Sequence, residues 1–341
     1  MRAVRLERRG APLRDSELPD PEPGPADIVV DIRSAGICHS DAHYRTESRR
    51  LTLPRTLGHE IAGTVSWVGE GVEGFLFGDP VALHYLLSCG DCFACSHDGE
   101  QFCARGAMLG KELDGGYAEK IVVPARNAVS IPDAVGFNEA AIMMCSTATA
   151  HHALRLATVR QGESVAILGF GGLGISAAQL AGRLDPSGIF AVDIIQEKLE
   201  LAESFGAVPI DASRASVRDE LLGATGGRGI DVVLDFAGHS ATSLQALRSL
   251  APGGRFMVVA IDLRALDLDP YADILTRERR IIGCSDHTRA ELVELMDLAR
   301  RGELDLSQAI TRTVPLEAEA INEVLDDLDA GTRHLRTVIE M

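Results

Sequence analysis

The 341-residue sequence contains no run of eighteen uninterrupted apolar residues, so no segment reads as a membrane-spanning helix. Its first nine residues, Met1-Arg-Ala-Val-Arg-Leu-Glu-Arg-Arg, lack the apolar stretch of a secretory signal. Positive charge is also scarce: 33 Lys and Arg stand against 50 Asp and Glu, giving a net charge of −17 and a pI near 5.0. The basic stretches, such as residues 277–280, are short and interrupted by Glu278. Without a clustered basic face, nucleic acid is excluded as the main partner. Repeats, low-complexity tracts and long flexible linkers are absent as well. These absences lead to the expectation of a cytoplasmic protein with neither a membrane nor a nucleic-acid partner. With 46% hydrophobic residues the chain can bury a large core, and its length suggests about two domains.

Cysteine is sparse too, at seven residues, which makes its distribution informative. Four lie within fifteen residues, Cys89, Cys92, Cys95 and Cys103, at C-x2-C-x2-C-x7-C spacing on a Gly-containing loop. Thiolates so spaced can occupy the four corners of a tetrahedron around zinc, leaving no open position for chemistry; such a site is structural. Two other readings stay open. Disulfides are awkward between such close neighbours and need an oxidising compartment that nothing here signals. An iron–sulfur run also uses C-x2-C-x2-C, but its fourth cysteine typically follows three residues on and precedes Pro, whereas here the gap is seven and Ala104 follows.

Up to about residue 145, short β-branched runs separated by Pro and Gly predict an antiparallel β domain: residues 28–33, 61–68 and 120–124. Beyond residue 146, strands alternate with helices. Strands fit residues 164–169, 188–193, 231–236, 254–260 and 280–283, with helices from Leu173 and through Lys198 and Leu201. This βαβ rhythm implies a parallel sheet, which six strands would complete as a doubly wound one. The tail has helical patterns at 290–301 and 317–330 and a final strand at 335–339, and is expected to return to the first domain. The expected division is 1–146, 147–285 and 286–341.

Gly169-Phe-Gly171-Gly172-Leu173-Gly174 is a G-x-G-x-x-G sequence that follows an apolar strand and opens a helix. Nineteen residues on, Asp193 ends the next strand, where a carboxylate can accept from the adenosine ribose hydroxyls while the helix N-terminus receives the pyrophosphate. A carboxylate there would repel a ribose 2′-phosphate, and Ile194 follows rather than Arg; NAD is favoured over NADP. The bland reading of the same residues is a tight Gly turn.

A second set of metal-type residues is dispersed: Cys38, the neighbouring His39, Ser40, Asp41 and His43, then His59 and Glu60, and finally Cys145. One histidine with two thiolates is a catalytic zinc set that leaves the fourth position to water or substrate. Taken singly, Cys145 within Ile-Met-Met-Cys-Ser-Thr-Ala reads more readily as a small buried core residue than as a ligand.

Together these pieces resemble the zinc-containing medium-chain alcohol dehydrogenases. The stretch Gly58-His-Glu-x2-Gly63-x5-Gly69-x2-Val72 is similar to that family's zinc signature, and Gly115-Gly-Tyr-Ala-Glu119 to its other common mark, with the four-cysteine lobe between them. The resemblance covers essentially the whole chain. It implies a GroES-like β-rich catalytic domain carrying two zincs per subunit, one catalytic and one structural, and an inserted Rossmann domain for NAD. The substrate would be a primary or secondary alcohol, or the carbonyl it forms, and the assembly a homo-oligomer, dimer or tetramer. It also implies that Cys145 joins Cys38 and His59 as a catalytic zinc ligand, with Asp41 orienting His59 and Glu60 close behind the metal. Ser40 would take the alcohol proton and pass it toward His43. His39 and Arg336 match positions that meet the pyrophosphate, Lys198 one that meets the ribose, and Tyr85 one that lines the substrate pocket. Residues 44–53 match no pattern of the family. Alternatives are a polyol, threonine or other specialised zinc dehydrogenase of the superfamily, and a zinc-free quinone reductase or non-enzymatic relative on the same fold.

Overall fold

The computed structural model describes all residues except 47–50, 262–264 and 332–333. It forms two compact units, Met1–Ala148 with His287–Met341, and Thr149–Asp286.

The first unit is built around the long strand Asp27–Ile37, which pairs antiparallel with Glu60–Val68, Lys120–Pro124 and Arg336–Glu340. Pro80–Leu83 and Ala128–Ser130 extend the sheet beyond Glu60–Val68, and Ile310–Pro315 runs parallel to Arg336–Glu340 on the other side. Because strand side chains alternate between faces, one strand serves two cores. Ile28, Val30 and Ile32 enter a cluster with Ile61, Val65, Leu83 and Ile121. Ala35 and Ile37 enter another with Leu6, Leu57, Ile321, Leu325 and Ile339. The last element of the chain is therefore paired into the sheet that begins at Asp27.

The second unit is the expected doubly wound sheet. Its six strands are, in chain order, Ser164–Leu168, Gly188–Asp193, Val208–Asp211, Ile230–Asp235, Leu250–Val258 and Arg280–Gly283. All pairings are parallel, and the spatial order is third, second, first, fourth, fifth, sixth. The strand order reverses at Ser164–Leu168, so its carboxyl end is the switch point where ligands bind in such sheets. The strand the sequence reading did not name is Val208–Asp211. Pro209 interrupts its pattern, and a strand bearing Pro is tolerated because it lies at the sheet edge. No helix among the described residues is long and apolar enough to cross a membrane.

Candidate active site

The four-cysteine lobe hangs on two short 3-10 turns, Cys95–His97 and Glu100–Phe102. Its sulfurs lie 3.5 Å apart for Cys92 and Cys95, 3.4 Å for Cys89 and Cys103, and 3.8 Å for Cys89 with Cys95 and for Cys92 with Cys103. A tetrahedron with Zn–S of about 2.3 Å has S···S edges of about 3.8 Å, so this cage fits one zinc ion. These distances are far longer than a disulfide bond, and none of the four cysteines is in a disulfide. An iron–sulfur cluster would spread its thiolates over separate irons and hold them further apart. The Cys95 backbone N–H holds the Cys92 thiol down at about 6, which readies it as a thiolate ligand.

The dispersed residues converge as well. Donor atoms of Cys38, His59, Glu60 and Cys145 all lie within 4.8 Å of one another. Cys38 follows the end of strand Asp27–Ile37, while Glu60 opens its antiparallel neighbour with His59 just before it. Cys145 comes from the π-helical turn Met143–Thr147, the one residue of that turn not buried. A π turn inserts an extra residue per turn and re-aims side chains, a device found often at functional sites. Its neighbours Met143 and Met144 are buried, while Cys145 packs at the edge of the apolar cluster of Ile28, Ile61 and Leu83 with its sulfur within 4.8 Å of the donor atoms of Cys38, His59 and Glu60.

Protonation in this centre is coupled. The Cys145 thiol donates toward Cys38, which holds Cys38 well below the usual thiol range and Cys145 well above it. Burial disfavours the charged form of His59, but Asp41 and then Cys38 outweigh it and raise the imidazole well above its ordinary value. Two thiols and an imidazole match zinc's preference for soft and borderline donors, and a bound cation would compete with protons for all three.

Around the centre, Asp41 is fully buried and engaged on every side. Its carboxylate accepts from the Cys38 and Gly58 N–H groups at 3.0 and 3.3 Å and from the Tyr117 hydroxyl at 2.9 Å, and lies 3.4 Å from His59 Nδ1. Tyr117 belongs to the Gly-Gly-Tyr-Ala-Glu stretch but had no functional role in the sequence reading; its hydrogen bond supplies one. Glu60 pairs with Arg336, and both side chains are buried. Burial nonetheless raises the Glu60 carboxyl to about 7, against the opposing pull of Arg336. Arg336 Nε is buried and has no hydrogen-bond partner among the described residues. Ser40 Oγ lies 3.6 Å from Cys38 Sγ. His39 and His43, on helix His39–Thr46, stack at 4.7 Å, and His39 Nε2 is 3.9 Å from Asp329. The Tyr85 ring is buried edge-on to His59 at 5.1 Å. Of the unread loop 44–53, residues 47–50 lie outside the described residues; the Tyr44 hydroxyl reaches Met108 Sδ at 3.6 Å.

In the second unit, Gly169 leaves strand Ser164–Leu168 with φ +87°, a conformation suited to glycine, and Gly172–Gly182 forms the following helix. A Cβ on Gly174 would stand 2.5 Å from the Gly169 carbonyl oxygen, so helix and strand pack closely only without one. Leu173 is half-buried and nothing lies within 4 Å of a Cβ built on Gly171, which leaves room for a ligand's backbone approach. Asp193 accepts from the N–H groups of Phe170 at 2.8 Å, Ile194 at 2.8 Å and Ile195 at 3.0 Å, which binds the Gly-rich turn to the end of the next strand. Lys198 is half-buried on helix Gln196–Ser204.

The comparisons with known proteins agree with this geometry. Residues 24–133 match the alcohol dehydrogenase GroES-like domain, and residues 172–301 match the zinc-binding dehydrogenase domain. The chain is 33% identical to an NAD-dependent alcohol dehydrogenase of Sulfolobus acidocaldarius, with both chains covered completely. It is also 33% identical to an alcohol dehydrogenase of Geobacillus stearothermophilus, again over 100% of both. The solved structure of an alcohol dehydrogenase from Thermus sp. ATN1 superposes with a TM-score of 0.92 at 30% identity, covering 100% of this chain and 99% of that one. This chain belongs to the zinc-containing medium-chain alcohol dehydrogenase family.

Proposed function

We propose that the chain is an NAD-dependent zinc alcohol dehydrogenase that interconverts a primary or secondary alcohol with its aldehyde or ketone. The observation that carries this reading is the convergence of Cys38, His59, Glu60 and Cys145 on one small volume. Cys38, His59 and Cys145 hold the catalytic zinc, and Cys89, Cys92, Cys95 and Cys103 the structural one. Zinc in the first site would supply Lewis-acid stabilisation of charge on the alcohol oxygen, the effect that brings the pKa of zinc-bound water down to about 7.

The chain's own residues do the rest. Asp41 fixes the His59 ring by its 3.4 Å approach to Nδ1 and is itself locked by Tyr117. Ser40 accepts the alcohol proton and passes it toward His43 and solvent, a direction supported by their common helix. His39 and Arg336 meet the pyrophosphate together with the turn of Gly169, Gly171, Gly172, Leu173 and Gly174, while Asp193 and Lys198 receive the adenosine ribose. Tyr85 forms one wall of the alcohol site. Residues 1–146 with the returning segment 286–341 act as the catalytic domain and 147–285 as the nucleotide domain, in a cytoplasmic homo-oligomer.

A panel of alcohols and polyols assayed with NAD, run beside metal analysis, tests the reading. Alcohol-dependent NADH formation and two zinc ions per subunit are expected; full activity with one zinc or fewer would contradict it. Cys103→Ser separates the two metals. It should weaken retention of the lobe zinc and lower thermal stability while leaving the pH profile of the reaction in place, because a closed site organises a loop. Equal stability with lost alcohol binding would reverse the two roles.

A further inference from the structure

In the second unit, strand Ser164–Leu168 lies between Gly188–Asp193 and Ile230–Asp235, and ligands of such sheets bind between the turns that leave those carboxyl ends. Residues 236–239 form the turn on the fourth-strand side, with Ala237 and His239 exposed. Asp235 folds it from beneath. One oxygen of this buried carboxylate accepts from the Ala237 and Gly238 N–H groups at 3.1 and 2.9 Å, and the other accepts from the Ser243 hydroxyl at 2.6 Å. Ser243, itself buried on helix Ser240–Arg248, also brings its hydroxyl within 3.0 Å of the His239 carbonyl. Gly238 takes φ +68°, which glycine adopts without strain. The Asp235 backbone is fixed separately: its carbonyl accepts from the Val259 and Ala260 N–H groups at 3.2 and 3.0 Å, and the next residue, Phe236, donates its N–H to the Leu168 carbonyl at 3.0 Å. The turn it supports touches the Gly-rich one. A Cβ built on Gly169 would stand 3.2 Å from the Ala237 Cβ and 3.3 Å from its nitrogen, so the absence of a side chain at Gly169 also lets the two turns close on each other.

We propose that Asp235 is a positioning residue for dinucleotide binding: with Ser243 it holds the 236–239 turn against Gly169, so that the two turns flanking the switch point form one preset surface. This rests on the nucleotide roles given above to the Gly-rich turn and Asp193. Asp193 fastens the Gly-rich turn from the second-strand side through Phe170, and Asp235 braces it from the fourth-strand side through Ala237. A dinucleotide with its adenosine ribose at Asp193 and its pyrophosphate at the Gly-rich turn carries its nicotinamide half past Gly169 toward Ala237. Without the Asp235 carboxylate, the Ala237 and Gly238 N–H groups lose their acceptor and the turn gains conformations that NAD must order on binding. AMP, which ends at the Gly-rich turn, does not meet that cost.

The test titrates the zinc-loaded enzyme and its Asp235→Ala, Asp235→Asn and Ser243→Ala variants with NAD and with AMP by calorimetry, beside thermal melts. In Asp235→Ala the Kd for NAD should rise about tenfold, the weight of N–H groups left without their acceptor, while that for AMP stays within about twofold of the parent's. Asp235→Asn keeps an oxygen for the two N–H groups and an amide that can donate to Ser243, and should bind NAD nearly as the parent does. Ser243→Ala removes a single donor and should raise the NAD Kd by about threefold, again with AMP unchanged. A general loosening of the unit would weaken both nucleotides together, so equal losses of NAD and AMP in Asp235→Ala would overturn the proposal. An unchanged NAD Kd in that variant would do the same, as would equal NAD losses in the Ala and Asn variants. If Asp235→Ala does not fold, Ser243→Ala decides: a ratio of NAD to AMP affinity equal to the parent's would overturn the proposal. A parent that bound neither nucleotide would refute the proposed function itself and leave Asp235 no nucleotide to position.

Discussion

Replacing Cys145 with Ala should abolish alcohol oxidation while leaving NAD binding intact. The thiol is one of three donors in a centre whose Lewis acidity is worth several kcal/mol, so a loss of at least about a thousandfold in kcat is expected. Cys38→Ala and His59→Ala should behave alike, since their donor atoms lie within 4.8 Å of the Cys145 sulfur and would hold the same ion. The Gly169 turn and Asp193 belong to the other compact unit, which is why cofactor binding should survive. Ser40→Ala should cost about a hundredfold or more as a loss of proton transfer, and His43→Ala only part of that, because water replaces a half-exposed acceptor more easily than a hydroxyl beside the ligands. The measurements are NAD titration and pre-steady-state NADH formation in each variant. Substantial single-turnover hydride transfer by Cys145→Ala without its catalytic zinc would remove Cys145 from the centre.

What the sequence could disclose divides along physical lines. Ligands carried on one short loop were legible, because C-x2-C-x2-C-x7-C spacing already constrains where four sulfurs can go. The Gly-rich turn was legible for the same reason: Gly169, Gly174 and Asp193 are set by local strand and helix geometry. Cys145 was ambiguous on its own, since its apolar neighbours are what a core thiol would have. Only the π turn, which no periodicity predicts, explains how one residue in a buried run faces the donors. The Tyr117 contact with Asp41 was not legible. Tyr117 meets Asp41 across 76 positions, and only the tertiary fold brings such a pair together. The edge strand at Val208–Asp211 was hidden by Pro209, which the position of the strand in the sheet tolerates and a local pattern penalises.

Changing Asp193 to Ala together with Ile194 to Arg should move coenzyme preference from NAD toward NADP by about a hundredfold in the ratio of kcat/KM values, the size of losing one charge repulsion and gaining one charge-assisted contact. The structure adds a condition. Asp193 is more than a ribose acceptor, because its two oxygens also take the N–H groups of Phe170, Ile194 and Ile195 and so fasten the Gly-rich turn to the neighbouring strand. Asp193→Ala alone should therefore weaken both coenzymes, with NAD losing more, and lower stability by about 1 kcal/mol for the partly buried Phe170 and Ile195 N–H groups left without an acceptor. The gain for NADP should appear only with Ile194→Arg, since Ile194 is exposed and its replacement can reach a 2′-phosphate without disturbing the core. Steady-state kinetics with both coenzymes, paired with thermal melts of the single and double variants, separate the two effects. A parent enzyme that already prefers NADP would show that Asp193 serves the turn alone.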